Sequence, residues 1–383
     1  MIFEGDVNSK ALGIYLHIPF CIKKCNYCDF CSFPDINGKL MSDYADELIR
    51  RIEEFSACYG KKTVDTVYFG GGTPTLMSPQ LFEKIIIALN KNFCILSDAE
   101  ITVECNPASI DKKGLFALRN LGINRLSIGL QSADNTELAI LGRLHSYEDF
   151  CNTFYDARKA GFDNISVDLM YGIPNQTTQS FKRTLSSLIG LSPEHISAYG
   201  LKIEEGTAFF KNIDKLCLPN EDAYVELYTQ CCEYLEENGY FRYEISNFSK
   251  AGRESRHNLK YWSLHDYIGF GVAAHSCFNG ERFGNSRDLK KFLSGADICS
   301  EKQKISEHDL ISEYVMLGLR LSRGISLEDF KKIAKRDFKQ MYPMTDSYIK
   351  SGFMTEDEGR IAFTTKGFLV SNTILAQMLD FDD

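Results

Sequence analysis

Residues 17–33 read HIPFCIKKCNYCDFCSF and place Cys21, Cys25 and Cys28 in the spacing C-x₃-C-x₂-C. Three thiolates held this closely can bind three irons of a [4Fe–4S] cube and leave the fourth iron without a protein ligand. Such an open iron can bind a small molecule and pass an electron to it. The alternative is a structural zinc site, but zinc usually takes four ligands from two separated C-x₂-C pairs, and no second pair follows downstream. The spacing therefore favours the cluster.

Around this segment, short β-rich runs alternate with amphipathic helical patterns. The predicted strands are 13–18, 66–69, 101–104, 125–130, 165–170 and 195–200, and the predicted helices are 42–57, 78–90, 111–121, 147–160 and 178–189. Alternation of this kind is typical of a parallel sheet with crossover helices. Six units are too few for a complete (β/α)8 barrel. We therefore expect an α/β fold, an open, TIM-like partial (β/α)6 barrel whose carboxyl strand ends face the site.

The periodicity changes in the second half of the chain. After a helix at 224–238, residues 240–295 are expected to form a loop-rich layer that closes one side of the barrel. Further helices are predicted at 306–319, 326–334, 338–351 and 364–379, with a hairpin at 353–363. The sequence therefore predicts two domains, a barrel core at 1–295 and a small winged-helix-like lobe at 300–383.

Composition and charge narrow the classes of partner and compartment. The net charge of −9 over 383 residues provides no positive field for a phosphate backbone, so no nucleic-acid partner is expected. No apolar run approaches the ~20 residues of a membrane span, and the start MIFEGDVNSK lacks a signal-peptide pattern. Most of the 13 cysteines stand alone, and an oxygen-labile cluster needs a reducing compartment. We expect a cytoplasmic protein.

Candidate ligand-binding residues follow the predicted strands. Residues 68–74 read YFGGGTP, and glycines there let the backbone approach a ligand, although the same run could serve only as a tight turn. Polar residues mark the later strand ends: Glu104, Gln131, Arg143 and, within the fifth strand, Asp168. A charge inside an apolar parallel strand is costly without a partner or ligand. Glu104 and Asp168 are therefore functional candidates, with a buried structural ion pair as the alternative.

The cysteine spacing, the aromatic Tyr27 before the third cysteine and the GGGTP turn together resemble the radical S-adenosylmethionine (SAM) superfamily. The resemblance implies that SAM chelates the open iron and can be cleaved to a 5′-deoxyadenosyl radical. Over nearly the whole chain it extends to the branch of the oxygen-independent coproporphyrinogen III oxidases, including YGLKIEEGT at 199–207 and the carboxyl-terminal lobe. Matching motif positions imply SAM contacts from Tyr15, Tyr27, Gly71, Gly72, Thr73, Glu104, Gln131, Arg143, Asp168 and Gly200.

Two activities compete within that branch. The oxidase decarboxylates two propionates of coproporphyrinogen III, whereas the heme chaperone (HemW) branch binds heme and passes it to acceptor proteins. The oxidase pattern has a fourth cysteine where this chain has Phe30, so Cys31, one residue later, is expected not to be a ligand. The run HNLKYW at 257–262 resembles the heme chaperone signature. His257 is therefore a candidate heme contact, since imidazole is a common axial ligand, with a satisfied core histidine as the alternative.

The resemblance thus favours a heme chaperone with three cofactors, the [4Fe–4S] cluster, SAM and heme, over coproporphyrinogen oxidase turnover. It implies a respiratory, membrane-associated heme acceptor, and an electron donor such as flavodoxin or ferredoxin if the radical is formed. Whether SAM is cleaved and whether the protein is a homodimer stay open, as does a third hypothesis, an unrelated radical methyltransferase or heme-degrading enzyme. No residue is assigned a catalytic role. His275 is a second candidate near either site, and His17 is expected to shape the cysteine segment.

Overall fold

The β-rich runs of the first half of the chain form six parallel strands in sequence order. The computed structural model describes residues 11–34, 38–107 and 109–379. The strands are β1 (Leu12–Ile18), β2 (Thr63–Gly71), β3 (Cys94–Cys105), β4 (Arg125–Gln131), β5 (Ile165–Tyr171) and β6 (His195–Gly200). Each pairs in parallel with the next, as the predicted partial (β/α)6 barrel requires.

Helices connect these strands and bury their apolar faces against the sheet. They are α1 (Lys39–Tyr59), α2 (Pro79–Asn92), α3 (Lys112–Asn120), α4 (Asn135–Leu141), α5 (Tyr147–Lys159) and α6 (Thr178–Leu191), followed by α7 (Ala208–Lys211) and α8 (Glu221–Glu237). Polar caps fix several starts, as at Ser146, which forms a capping box with Asp149 before α5. The prediction missed α4, because seven residues give little helical period. No helix within the described ranges combines the length and apolar character of a membrane span.

The sheet continues on both sides of the six strands. Beside β1 lie β9 (Tyr267–Phe270), in parallel, and then β10 (His275–Phe278), β11 (Glu281–Asn285) and β12 (Cys299–Lys304), all antiparallel. Beside β6 lie β8 (Asn247–Ser249) and β7 (Phe241–Arg242). The predicted loop-rich layer at 240–295 is therefore wrong in part: these short strands carry too little alternation to be recognised, and α9 (Arg256–Trp262) and α10 (Leu289–Leu293) lie among them.

A second, three-stranded sheet marks the carboxyl-terminal lobe, in the order β13 (Ile325–Ser326), β15 (Arg360–Phe363), β14 (Met354–Asp357). Its helices are α11 (Glu307–Gly318), α12 (Leu327–Ala334), α13 (Phe338–Met341), α14 (Thr345–Lys350), α15 (Thr365–Leu369) and α16 (Ser371–Met378). Helix, strand, helices and hairpin follow one another as in a winged helix, which agrees with the predicted lobe. Strand β12 pairs with β11 of the large sheet, although its residues 300–304 were expected in the second domain.

Two predicted helices of the lobe are each divided. The helix expected at 338–351 breaks at Tyr342, since Pro343 disfavours the helical conformation of the residue before it. The helix expected at 364–379 breaks at Val370, where α15 ends and α16 begins. The lobe packs on the barrel through Arg242, whose guanidinium lies 4.3 Å from the ring centroid of Phe368 and donates to Thr365 Oγ1 at 3.1 Å.

Candidate functional site

A cavity of about 640 Å³ opens at the carboxyl ends of the parallel strands and continues into the interior of the barrel. Its mouth is lined by most of residues 21–30 of the cysteine loop, defined here as 21–33, and by residues 71–74 of the glycine loop, defined as 70–74. Its deep end is lined by side chains that begin the strands, among them Arg125 of β4 and His195 of β6. One cavity thus spans the barrel from its open end towards its closed end.

The cysteine loop is held against the barrel by backbone hydrogen bonds. Cys21 donates to the carbonyl of Phe33 at 3.2 Å, and Asn26 donates to the carbonyl of Leu141 at 3.0 Å. His17 Nε2 lies 3.1 Å from the carbonyl oxygen of Cys31, which gives His17 the loop-shaping position that the sequence predicted. These bonds fix the loop at both ends.

The three predicted ligands, Cys21, Cys25 and Cys28, all line the cavity and are half-buried, free thiols. Cys31 does not line it; its Sγ lies 3.8 Å from the carbonyl of Arg287. Within the described part of the chain, no three Cys, His, Asp or Glu side chains are placed to hold a single metal ion. A cube differs from zinc in this respect, because each thiolate binds a different iron and the three need not converge. The donor set therefore fits a cluster with one open iron.

The glycine loop lies against the chain that leads into the cysteine loop. Gly72 donates to the carbonyl of Ile18 at 2.9 Å, and Thr73 donates to that of Phe20 at 2.8 Å. A Cβ on Gly72 would stand 2.7 Å from the Phe20 carbonyl oxygen, so only glycine fits. Thr73 also places its hydroxyl 3.6 Å from Cys21 Sγ. The glycines therefore do more than form a tight turn: they let the glycine loop pack closely against Ile18 and Phe20.

Two carboxylates from neighbouring strands face the cavity. Glu104 accepts from Tyr68 Oη at 3.0 Å and from the backbone of Gly71 at 2.9 Å, and Asp168 accepts from Ser127 Oγ at 3.1 Å. Burial, together with the charge of Asp168, raises the pKa of Glu104 to about 7. Burial likewise raises the pKa of Asp168 to about 6. Neither forms the structural ion pair considered as an alternative within the described residues, so both are available to a cationic or hydroxylated ligand.

Arg143 and Gln131 supply the cation and amide on the other side of the mouth. Arg143 donates to Asn106 Oδ1 at 2.7 Å and to the Gly129 carbonyl at 3.1 Å, and its Nη1 lies 3.5 Å from Cys25 Sγ. The buried Oε1 of Gln131 and Nε of Arg143 have no hydrogen-bond partner among the described residues. A zwitterion such as the amino-acid part of SAM needs a cation, a carboxylate and orphaned polar atoms of this kind. The residues present therefore fit SAM.

Two further predicted SAM contacts line the same cavity. Tyr27 packs with Leu141, Met170 and other apolar side chains at the mouth, and burial raises its pKa. Gly200 ends β6, where a Cβ would stand 1.6 Å from the hydroxyl of Tyr224. Tyr27 offers a flat ring to an aromatic ligand, whereas at Gly200 the space that a side chain would need is occupied by Tyr224. Tyr15 is placed differently: its hydroxyl lies 3.0 Å from His17 Nδ1, and the residue is not among those that line the cavity.

His257 lies inside the closed end of the barrel on α9 and is 1 % exposed. Its ring nitrogens lie 2.9 Å from Thr66 Oγ1 and 2.7 Å from Tyr261 Oη, and burial lowers its pKa to about 3. Three residues along, Lys260 forms an ion pair with Asp65 at 2.8 Å in which both side chains are 0 % exposed. The HNLKYW run thus holds α9 against β2 through a hydrogen bond and an ion pair. This arrangement leaves no ring nitrogen of His257 open to heme iron, which disfavours the predicted contact.

His275, the second candidate histidine, is exposed on β10 and is not among the residues lining the cavity. The deep end, which the sequence analysis missed, is formed by Arg125, Ser166, His195, Asn247 and Asn258. His195 is buried, and its ring nitrogens lie 2.8 Å from Ser166 Oγ and from Tyr243 Oη. One feature of the sequence could have indicated this deep end, because Arg125 places a charge at the start of an otherwise apolar strand.

Replacing Glu104 by glutamine is expected to stabilise the SAM-free protein and to weaken SAM binding. The pKa of Glu104 is raised in the folded state, so the native protein binds more protons than the unfolded chain and wild-type stability falls as pH rises from about 5 to about 8. The amide removes this loss, which amounts to about 2 kcal/mol between pH 5.5 and pH 8. The same change removes a charged acceptor, and SAM affinity should fall about tenfold.

Urea unfolding of the cluster-free protein at pH 5.5 and pH 8, together with SAM titration, measures both effects. Glu233→Gln, at an exposed position of α8, is the matched control and should alter neither. Equal pH dependence of stability in wild type and Glu104→Gln would show that Glu104 is not held with a raised pKa.

Comparisons with known proteins agree with this geometry. Residues 15–188 match the radical SAM superfamily, and residues 305–370 match the HemN C-terminal domain. The heme chaperone HemW of Bacillus subtilis is 34% identical over 376 residues, which cover 95% of this chain and 98% of that protein. The protein of the same name from Synechocystis is 32% identical, with 95% of each chain covered. The mitochondrial radical S-adenosyl methionine domain-containing protein 1 of Danio rerio is 30% identical, covering 99% of this chain and 89% of that protein.

A solved structure shows the same fold. The coproporphyrinogen III oxidase HemN of Escherichia coli matches with a TM-score of 0.86 over 97% of this chain and 91% of that enzyme, at 24% identity. At this identity the likeness shows the α/β radical SAM fold. The superfamily match implies a [4Fe–4S] cluster and SAM, for which the cysteine and glycine loops have the required donors. By sequence over nearly its full length, the chain belongs to the radical SAM superfamily and, within it, to the family of the HemW proteins.

Proposed function

We propose that the protein is a heme chaperone that binds heme, carries a [4Fe–4S] cluster with SAM, and delivers heme to acceptor proteins. The observation that carries this proposal is the similarity to proteins named heme chaperone HemW, at 34% and 32% identity over 95% and 97% of the chain. The similarity includes both the barrel and the carboxyl-terminal lobe. The cluster would be held by Cys21, Cys25 and Cys28, and SAM by the glycine loop with Glu104, Gln131, Arg143 and Asp168.

Features of the cysteine loop support the chaperone over the oxidase. Phe30 stands where the oxidase pattern has its fourth cysteine, and its side chain is 66% exposed at the cavity mouth. An exposed aromatic side chain at that point favours contact with an apolar ligand or partner. The likeness to the oxidase HemN supports the shared fold and extends no further. Coproporphyrinogen III oxidation is therefore the less favoured activity.

The partners belong to the proposal as well. The acceptor would be a heme protein of the respiratory chain, at or near a membrane, and a flavodoxin or ferredoxin would supply the electron if the radical is formed. A reducing compartment such as the cytoplasm suits the cluster, and every cysteine in the described part of the chain is a free thiol. A homodimer is compatible with this scheme.

Heme titration of the anaerobically reconstituted protein tests the proposal. We expect saturation at about one heme per chain, with a Soret band distinct from that of free heme. Because both ring nitrogens of His257 are engaged inside the barrel, His257→Ala should keep the Soret position. It should lower the free energy of unfolding by about 2 kcal/mol, since Thr66 and Tyr261 lose their partner.

His275→Ala is the companion variant, because that imidazole is exposed and removing it leaves no buried group unpaired. A shift of the Soret band in His257→Ala alone would show that α9 opens on heme binding and supplies the axial ligand. If heme does not bind the wild-type protein, the proposed function fails.

A further inference from the structure

Arg125 is a buried arginine that forms no direct ion pair among the described residues, although Glu104 and Asp168 lie within electrostatic reach. It is 1 % exposed, begins β4 and lines the deep end of the cavity. Its Nε is buried and has no hydrogen-bond partner among residues 11–34, 38–107 and 109–379. An arginine remains charged in proteins, and burial of an unpaired charge is expensive. A buried guanidinium that lines a cavity and lacks a directly bonded carboxylate is suited to bind an anionic oxygen of a ligand.

The carboxylates that share the cavity with Arg125 are engaged elsewhere. Asp168 accepts from Ser127 Oγ at 3.1 Å, and Glu104 accepts from Tyr68 Oη and the Gly71 backbone at 3.0 and 2.9 Å. Burial raises the pKa of Glu104 to about 7 and that of Asp168 to about 6, and the charge of Arg125 acts on both carboxyls from a distance. Neither carboxylate hydrogen-bonds the guanidinium of Arg125, because both accept from other groups.

Uncharged polar groups surround the same end of the cavity. Asn247 lines it with a buried Oδ1 that has no partner among the described residues, and Asn258 of α9 lines it from the closed end. Ser197 contributes a further hydroxyl. His195 is neutral there, because burial holds its pKa well below the usual range. The guanidinium and the hydroxyls are donors that suit a carboxylate, with the guanidinium offering a two-point contact, whereas the unpaired Asn247 Oδ1 is an acceptor and suits a neighbouring donor of the ligand.

We propose that the Arg125 end of the cavity is a carboxylate-binding subsite, separate from the groups assigned to SAM at the mouth. Two sources share this chemistry: the propionate arm of a tetrapyrrole reaching down from the mouth, or a free small organic acid. The first source rests on the proposed function, whereas the subsite itself does not. The cavity of about 640 Å³ has to hold SAM too, so an arm or a small acid fits the deep end better than a whole tetrapyrrole.

The reconstituted full-length protein is titrated with three probes: heme, heme dimethyl ester and sodium propionate. For a propionate arm, wild type should bind heme at least tenfold more tightly than the ester, and Arg125→Gln should abolish that preference. For a small acid, wild type should bind propionate calorimetrically, and Arg125→Gln should reduce the affinity at least tenfold. Arg125→Lys should retain part of either effect, because it keeps the charge and loses the two-point contact.

The matched control is Arg119→Gln, which removes an arginine that bonds the Gly161 carbonyl at an exposed position outside the cavity. It should leave all three titrations unchanged. If wild type neither prefers heme over its ester nor binds propionate, the subsite is overturned; those two measurements need no variant and do not depend on how Arg125→Gln folds. Equal effects in Arg125→Gln and Arg119→Gln would overturn it as well. If wild type binds heme but neither discriminates against the ester nor binds propionate, the proposed function stands and the subsite is overturned. If wild type binds propionate but not heme, the subsite stands and the proposed function fails.

Discussion

Replacement of Cys25 by alanine is expected to leave the anaerobically reconstituted protein without a [4Fe–4S] cluster. A cube held at only three corners loses one of its three protein ligands, and the two remaining thiolates cannot retain it. Iron and sulfide content and the cluster absorbance should fall to the background level. SAM affinity should fall at least about a hundredfold, because the open iron that would chelate it is gone.

Cys31→Ala is the matched control, since this thiol lies three residues after Cys28 and its Sγ contacts the carbonyl of Arg287 rather than lining the cavity. It should keep the wild-type iron content. A cluster that survives in Cys25→Ala, or one that is lost in Cys31→Ala, would contradict the assignment of the three ligands.

Replacement of Gly72 by alanine is expected to have the second-largest effect. The added Cβ would stand 2.7 and 2.8 Å from the Phe20 carbonyl oxygen and nitrogen, which are backbone atoms with little freedom to move. Relief requires the glycine loop to separate from Ile18 and Phe20, which breaks the bonds donated by Gly72 and Thr73. We expect a loss of about 1–3 kcal/mol in the free energy of unfolding. Cluster occupancy should fall too, because the same backbone leads into Cys21.

Gly190→Ala provides the contrast. Gly190 lies in α6, and a Cβ there meets nothing within 4 Å. Alanine should therefore raise stability by about 0.5–1 kcal/mol through the lower entropy of its unfolded state. Chemical unfolding and iron content, measured on both variants, check the pair. Equal stability of wild type and Gly72→Ala would show that the two loops are not packed as described.

The local sequence was sufficient to predict those parts of the molecule in which one short pattern determines both the structure and the chemistry. The cysteine spacing identified the ligand loop, and the six β-rich runs identified the parallel strands, because a buried parallel strand is apolar along its whole length. The short strands between 241 and 285 could not be found in the same way. Strands of two to five residues carry little alternation, and their pairing depends on contacts with distant parts of the chain.

The role of His257 could not be read from the sequence either. The HNLKYW run suggested a heme contact, with a satisfied core histidine as the alternative, and Thr66 and Asp65, which bond to its histidine and lysine, lie about 190 residues earlier in the chain. Arg125 is different, since the rule that pointed to Asp168, a charge in an apolar strand, applied to it equally. It was overlooked because it stands at the first position of its strand, where a charge is usually solvated.

The distinction between a heme carrier and an oxidase is tested most directly by anaerobic turnover. Reconstituted protein is incubated with coproporphyrinogen III, a reductant and SAM, and the tetrapyrrole products are separated, with a parallel heme titration of the same preparation. We predict that coproporphyrinogen III is recovered unchanged while the preparation binds about one heme per chain. Formation of protoporphyrinogen by a preparation that does not bind heme would contradict the proposed function and assign the chain to the oxidases.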